Sequence, residues 1–330
     1  MKAFDSSSIA QRIEDASMTE LKTQPRLPRL LRHIALMFGT FCVAAALAAP
    51  IKQRTFATAD DAVKALIEAV KSGDRAAILG VVGPEAEAAL LSGDIVADRA
   101  AADRFITRYG TKHAIVPSGE NRATLTIDAD DWPFAYPLVK TASGWRFDTK
   151  SGNDELLARR IGENELNVMK VMLAIVDAQR EYASLDRDGD GLPEYATKFA
   201  SSPGKKDGPY WKTAAGEPMS PLGDLVGRAQ GEGYKKGVGP RPYHGYYFRM
   251  LPGQGPDARG GAYNYTVKGR SIGGFAVIAY PAKYANSGVM SFIVNHDGVV
   301  YEKDLGPNSE SAARAITRFN PAGWKPSPVK

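Results

Sequence analysis

The chain has 330 residues, 44% hydrophobic and 24% charged, with 42 Lys+Arg against 37 Asp+Glu and a single Cys. This is the composition of a globular protein, not a disordered one, and the length suits two domains. One Cys excludes an internal disulfide and a Cys-built zinc or iron–sulfur site, and a net charge of +5 is small for a dedicated nucleic-acid binder.

The first element in chain order is a leader. Arg26, Arg29, Arg32 and His33 precede an apolar run, Ile34–Ala49, of 16 residues. A membrane-spanning helix needs about 20. The run closes on Ala46-Leu47-Ala48, the small-x-small pattern of a signal-peptidase site, so residues 1–48 are expected to be cleaved after Ala48, with Met18 an alternative start. Cys42 follows Gly39-Thr40-Phe41 and lacks the small residue directly before it that lipidation requires. Cleavage removes six basic and four acidic groups and the Cys, and lowers the net charge to +3. A periplasmic or secreted protein with no membrane span is the expectation.

Residues 49–150 read as a small α+β domain. Thr58 and Asp61 resemble a capping box ahead of Val63, Leu66, Ile67 and Val70, which recur at helical spacing up to Gly73. Further helices fit Asp74–Val81, the stretch from Pro84 to Ser92, and a segment capped by Asp94 that carries Val96, Phe105 and Ile106. The period then changes to two. His113–Val116, Ala123–Ile127, Trp132–Val139 and Trp145–Asp148 are predicted strands, with Ser143-Gly144 as a hairpin turn. Alternation puts Trp132, Phe134 and Tyr136 on one face, where they are candidates to line a pocket or to pack the sheet.

Residues 151–330 form the second predicted domain. A helix over Asn153–Arg160, a break at Gly162 and a longer amphipathic helix over Glu165–Leu185 lead into Asp186-Arg187-Asp188-Gly189-Asp190-Gly191. Alternating Asp with Gly is the first half of a calcium loop, because a hard cation takes several oxygens and Gly permits the turn that gathers them. Asp186, Asp188, Asp190, the Leu192 carbonyl and Glu194 are the candidate Ca2+ ligands, although Thr197 stands where an EF-hand has its bidentate Glu. From Ser201 onward Gly and Pro supply 34 of 130 residues, so this part is loop-rich β structure. A long loop is expected over 201–241, with a short helix near Pro221–Ala229. Strands are expected at Tyr246–Leu251, Tyr263–Val267, Gly274–Ala279, Val289–Asn295 and Val299–Asp304, the last two joined by Asp297-Gly298.

Three resemblances follow from these residues. Helices followed by a sheet ending in Gly144-Trp145-Arg146-Phe147-Asp148 resemble the cone of the nuclear transport factor 2-like superfamily, which implies a curved antiparallel sheet and a pocket. A helix ending in Ala178-Gln179-Arg180-Glu181-Tyr182, the Asp/Gly loop and the strands near Gly288–Phe292 resemble the globular part of type IV pilins and pseudopilins. That implies a long helix on a second antiparallel sheet, without pilin-type assembly, since this helix is internal. Asp131-Trp132-Pro133-Phe134, Asp177–Tyr182, Asp188–Gly191, Pro242–Arg249 and Val294–Tyr301 together resemble the bacterial family catalogued as domain of unknown function 2950, which implies export and no particular activity.

No motif names a reaction. His113, His244 and His296 show no zinc-type spacing, no Gly-x-Ser-x-Gly elbow occurs, and the glycines of Gly269–Gly274 lack a following Lys-Ser/Thr. His244 sits among Tyr243 and Tyr246 and is a candidate, with them, for stacking on a sugar or glycan. The reading is an envelope protein of α+β class that binds an envelope protein or surface polymer and is stabilised by calcium. The alternative is a small-molecule binder or hydrolase using a pocket in the N-terminal cone.

Overall fold

Local capping signals place the first helices. In the computed structural model, which describes residues 50–187, 189, 191–234 and 241–328, α1 spans Ala59–Ser72. The Thr58 side chain accepts from the Asp61 amide at its start, and Gly73, in the left-handed region, ends it. Asp74 caps α2 (Arg75–Val82) through the amides of Ala76 and Ala77. A 3-10 turn at Pro84–Ala86 leads into α3 (Glu87–Leu90), and Asp94 caps α4 (Ile95–Thr111). The expected leader, its cleavage position, Cys42, and the candidate ligands Asp188 and Asp190 lie outside the described residues.

The first sheet contains β1 (His113–Pro117), β2 (Arg122–Ile127), β3 (Trp132–Pro133), β4 (Leu138–Thr141) and β5 (Gly144–Phe147), all antiparallel, in the order β1-β2-β4-β5 with β3 also paired to β2. One long strand over Trp132–Val139 does not form. Pro133 and Pro137 bracket residues that leave the ladder, and a proline cannot donate to one. The shared face of Trp132, Phe134 and Tyr136 is lost with it. Trp132 is 45% exposed, whereas Tyr136 is 1% exposed and sits in a core with Leu66, Leu125, Leu138 and Phe147.

One helix, α5 (Thr149–Tyr182), runs for 34 residues without a break at Gly162. Asp148 caps it through the Ser151 amide. Its first turns pack on the first core, where Gly152 lies against the Tyr136 ring. Its C-terminal half buries Val168, Met172, Ile175 and Val176 against a second core with Phe275, Val277 and Phe292. Packing at both ends outweighs the preference of about 1 kcal/mol against one exposed glycine.

The second sheet has the order β12-β11-β10-β9-β6, from β6 (Tyr246–Leu251), β9 (Ala276–Pro281), β10 (Met290–Asn295), β11 (Tyr301–Asp304) and β12 (Lys325–Pro326). β7 (Gly253–Gln254) and β8 (Tyr263–Asn264) form a small ribbon. β9 is buried along its whole length, and β10 and β11 pair across the turn containing Gly298. Helices α6 (Gly223–Gly231) and α7 (Ser309–Ala315) complete the described elements. The fold is α+β, and the chain from Pro50 onward holds together as one compact unit.

Candidate functional site

The middle of α5 lies between the two cores, and a cleft of about 570 Å3 opens along it. Arg160, Glu163, Asn164, Asn167 and Lys170 face this cleft at helical spacing. Val96, Ala97, Asp98, Ala101 and Arg104 of α4 form the opposite wall, where the small side chains of Ala97 and Ala101 leave space open. Leu225 and Arg228 of α6, followed by Glu232, Tyr234, Tyr243 and His244, close one end.

That end is fastened from behind by a single buried carboxylate, which does not itself line the cleft. Asp94 is 3% exposed. One of its oxygens accepts from the Ala97 amide at 3.1 Å and so caps α4. The other accepts from the Tyr234 hydroxyl at 2.7 Å and from the Gly245 amide at 3.2 Å. An aspartate that reads in sequence as a plain helix cap therefore also fastens two distant segments. Burial, reinforced by Asp94, pushes the Tyr234 hydroxyl well above its usual range, so it remains a donor.

His244 owes its position to a tight turn. Tyr243 and Tyr246 exchange backbone hydrogen bonds of 2.9 and 3.1 Å. The two residues between them, His244 (φ 49°) and Gly245 (φ 73°), both have positive φ, as a type I′ turn requires. Asn or Gly suits the first of these positions better than His, and strain at such a site is a pointer to function. The His244 ring lies 4.1 Å from the Tyr243 ring, and its Nε2 is 3.6 Å from the Glu232 carboxylate. Burial holds the imidazole below its ordinary pKa against the opposing pull of Glu232, Asp94 and Glu163. The Tyr243 hydroxyl is pushed up to about 12 by burial and by Glu232.

The charges around the cleft are differently engaged. Arg160 donates to the carbonyl of Ala89 and to Asn286 Oδ1, at 2.6 and 2.9 Å. Arg159 pairs with Glu155, outside the cleft, and stacks over Trp132. Asp98 accepts from the Ser92 amide. Among the described ion pairs, none joins a cleft Arg or Lys to a cleft carboxylate.

The family model for proteins of unknown function DUF2950 matches residues 53–327. The chain belongs to the DUF2950 family. The matched residues of this DUF2950 chain include both sheets, α5 and the residues that line the cleft. No curated protein and no solved structure matches the chain.

The residues singled out from sequence fall in three places. Tyr243 and His244 line the cleft. Tyr246 is 0% exposed in the second core, its hydroxyl donating to the Met290 carbonyl. Phe134 and Tyr136 pack in the first core, with Tyr136 donating to Asn153, while Trp132 lies outside under Arg159. The cleft therefore does not lie inside the N-terminal helix-and-sheet core, and the Trp132–Tyr136 aromatics do not line it.

In the Asp-rich loop, both Asp186 oxygens turn inward, accepting from the amides of Gly189 (2.8 Å) and Gly191 (2.7 Å). Glu194 accepts from Arg270 at 3.3 Å, and Leu192 is exposed. No group of three or more His, Cys, Asp or Glu suited to a metal occurs among the described residues.

Arg160, Glu163, Glu232 and Tyr234 did not stand out from sequence, and Asp94 did so only as a helix cap. The available signal was the polar stripe 160, 163, 164, 167, 170 on α5, flanked along the helix by apolar positions.

Proposed function

We propose that this protein is an exported envelope protein that works by binding a small polar ligand in the cleft along α5. The observation that carries this reading is the buried fastening behind one end of the cleft. A buried carboxylate fastens Tyr234 and the strained His244 turn to the cap of α4, which pre-organises a concave, mixed polar and aromatic surface. Export rests on the basic stretch, the 16-residue apolar run and Ala46-Leu47-Ala48. The likenesses to the nuclear transport factor 2-like cone and to the pilin globular domain belong to this proposal too, supported by helices before an antiparallel sheet and by a long helix on a second one.

The test is a thermal-shift panel of metabolites, saccharides, peptides and cell-wall fragments against the full chain and His244→Ala. Hits weakened by the substitution support the reading. A flat response across the panel, or a substrate turned over at a rate that His244→Ala abolishes, sinks it.

Calcium stabilisation of the 186–194 loop is a second part of the proposal. It is favoured by the inward Asp186 carboxylate and by positive φ at Gly189 (80°) and Gly191 (89°), which bend the loop around it.

A further inference from the structure

The rings at one end of the cleft narrow the class of ligand. Tyr234, Tyr243 and His244 all line it there. The Tyr243 and His244 centroids are 4.1 Å apart at 45°, those of Tyr234 and Tyr243 5.0 Å apart at 81°, and Tyr234 and His244 meet at 65°. No two planes are parallel, so no slot exists to hold a flat nucleobase between two faces. The rings also touch one another, and a quaternary ammonium needs rings standing apart around a gap. A pyranose ring asks for less, because a single apolar C–H face resting on such a cluster suffices, with its hydroxyl rim left to polar groups.

The charges agree with a neutral, hydroxyl-bearing ligand. Arg159 pairs with Glu155, and Arg160 feels the charge of Asp98. Arg104, Lys170 and Arg228 remain in the lining, against Glu163, Glu232 and, behind the wall, Asp94. The signs balance, so no net field favours an anion or a cation. They also mix around the rings, since Glu232 and Arg228 both act on His244 and on Tyr243. A sugar hydroxyl donates and accepts at once, which suits a rim where carboxylate and guanidinium stand together. We propose that the cleft takes a neutral saccharide of about disaccharide size, its C–H face against Tyr243 and His244 and its hydroxyls shared between Glu232 and Arg228. A volume of about 570 Å3 lies within the range of small-molecule sites. This rests on the binding reading above and names its ligand class.

Maltose, cellobiose and diacetylchitobiose are titrated calorimetrically into the full chain, beside cellobiuronate (anionic), chitobiose freed of its acetyl groups (cationic), adenosine and choline. At least one neutral disaccharide is expected to bind, about tenfold tighter than its charged counterpart. Losing the ring in Tyr243→Leu, or the donor in Arg228→Gln, should weaken it about tenfold. Arg228 is exposed, so Arg228→Gln decides the matter even if circular dichroism shows Tyr243→Leu unfolded. A charged sugar, adenosine or choline that binds as tightly as the best neutral disaccharide overturns the proposal and leaves the cleft as a binding site. Failure of all three neutral disaccharides to bind at millimolar concentration also overturns it, and the wider panel then decides the binding reading. Affinity unchanged in both folded variants places the sugar outside the cleft and overturns the proposal as well.

Discussion

Gln179 pairs with Ala196 as one strand pairs with another: its Nε2 donates to the Ala196 carbonyl and its Oε1 accepts from the Ala196 amide, both at 2.9 Å. Gln179 is 0% exposed near the end of α5. This clamp fixes the chain just after the Asp-rich loop, so the loop is held between the helix end and a buried amide. Gln179→Leu keeps the bulk and leaves two buried backbone groups unsatisfied. At about 1–3 kcal/mol each, a loss of about 2–6 kcal/mol is expected in urea unfolding. A change below 0.5 kcal/mol would show that water replaces the clamp.

Two glycines on α5 should respond in opposite ways to alanine. Gly162 is exposed and a Cβ there meets nothing, so Gly162→Ala should stabilise by about 1 kcal/mol through helix propensity. At Gly152 a Cβ would overlap the Tyr136 ring, whose hydroxyl is tied to Asn153. Overpacking of about 1–3 kcal/mol exceeds the propensity gain, so Gly152→Ala should destabilise. Denaturant midpoints of both variants decide it, and matching signs would mean that α5 does not pack on the first core as described.

Stability should fall on acidification through His244. Its folded pKa is depressed, so below the ordinary value of about 6.5 the unfolded chain binds a proton that the folded chain resists. The contribution is present above about 6.5 and is lost as pH falls toward the folded pKa. Glu232, Glu163 and Asp94 face the imidazole and oppose the shift, while Arg228 adds to it. His244→Asn removes the titration and suits positive φ better. The variant should match or exceed the parent in melting temperature at pH 7.5 and exceed it by more at pH 5.5. An equal gap at both pH values argues that His244 does not titrate in this range.

If the 186–194 loop takes calcium with the roughly millimolar affinity of extracellular modules, then about 10 mM calcium should add about 1.4 kcal/mol to the stability of the full chain. Magnesium should add little, and Asp188→Ala should abolish the gain. A melting curve indifferent to calcium removes this part of the proposal.

What was legible in the sequence was local. Thr58, Asp74 and Asp94 announce their helices because a cap is satisfied within three residues, and Asp297-Gly298 announces its hairpin. Gly162 misleads because its weak local preference is overridden by packing at both ends of α5. The short elements α7 and β12 are too brief for their periodicity to stand out. The cleft draws on α4, α5, α6 and the His244 turn, and Asp94 meets Gly245 from 151 positions away. Nothing in the spacing of those residues advertises their meeting, although Tyr243 and His244 drew notice as an aromatic cluster.

Because α5 is one uninterrupted rod seated in a core at each end, the wall it gives the cleft is anchored from both sides. Any widening or tightening falls to the opposing side, where α4 and the Tyr243–Gly245 turn are joined through Asp94. The molecule is built like a vice with one fixed jaw, and the screw is a single carboxylate.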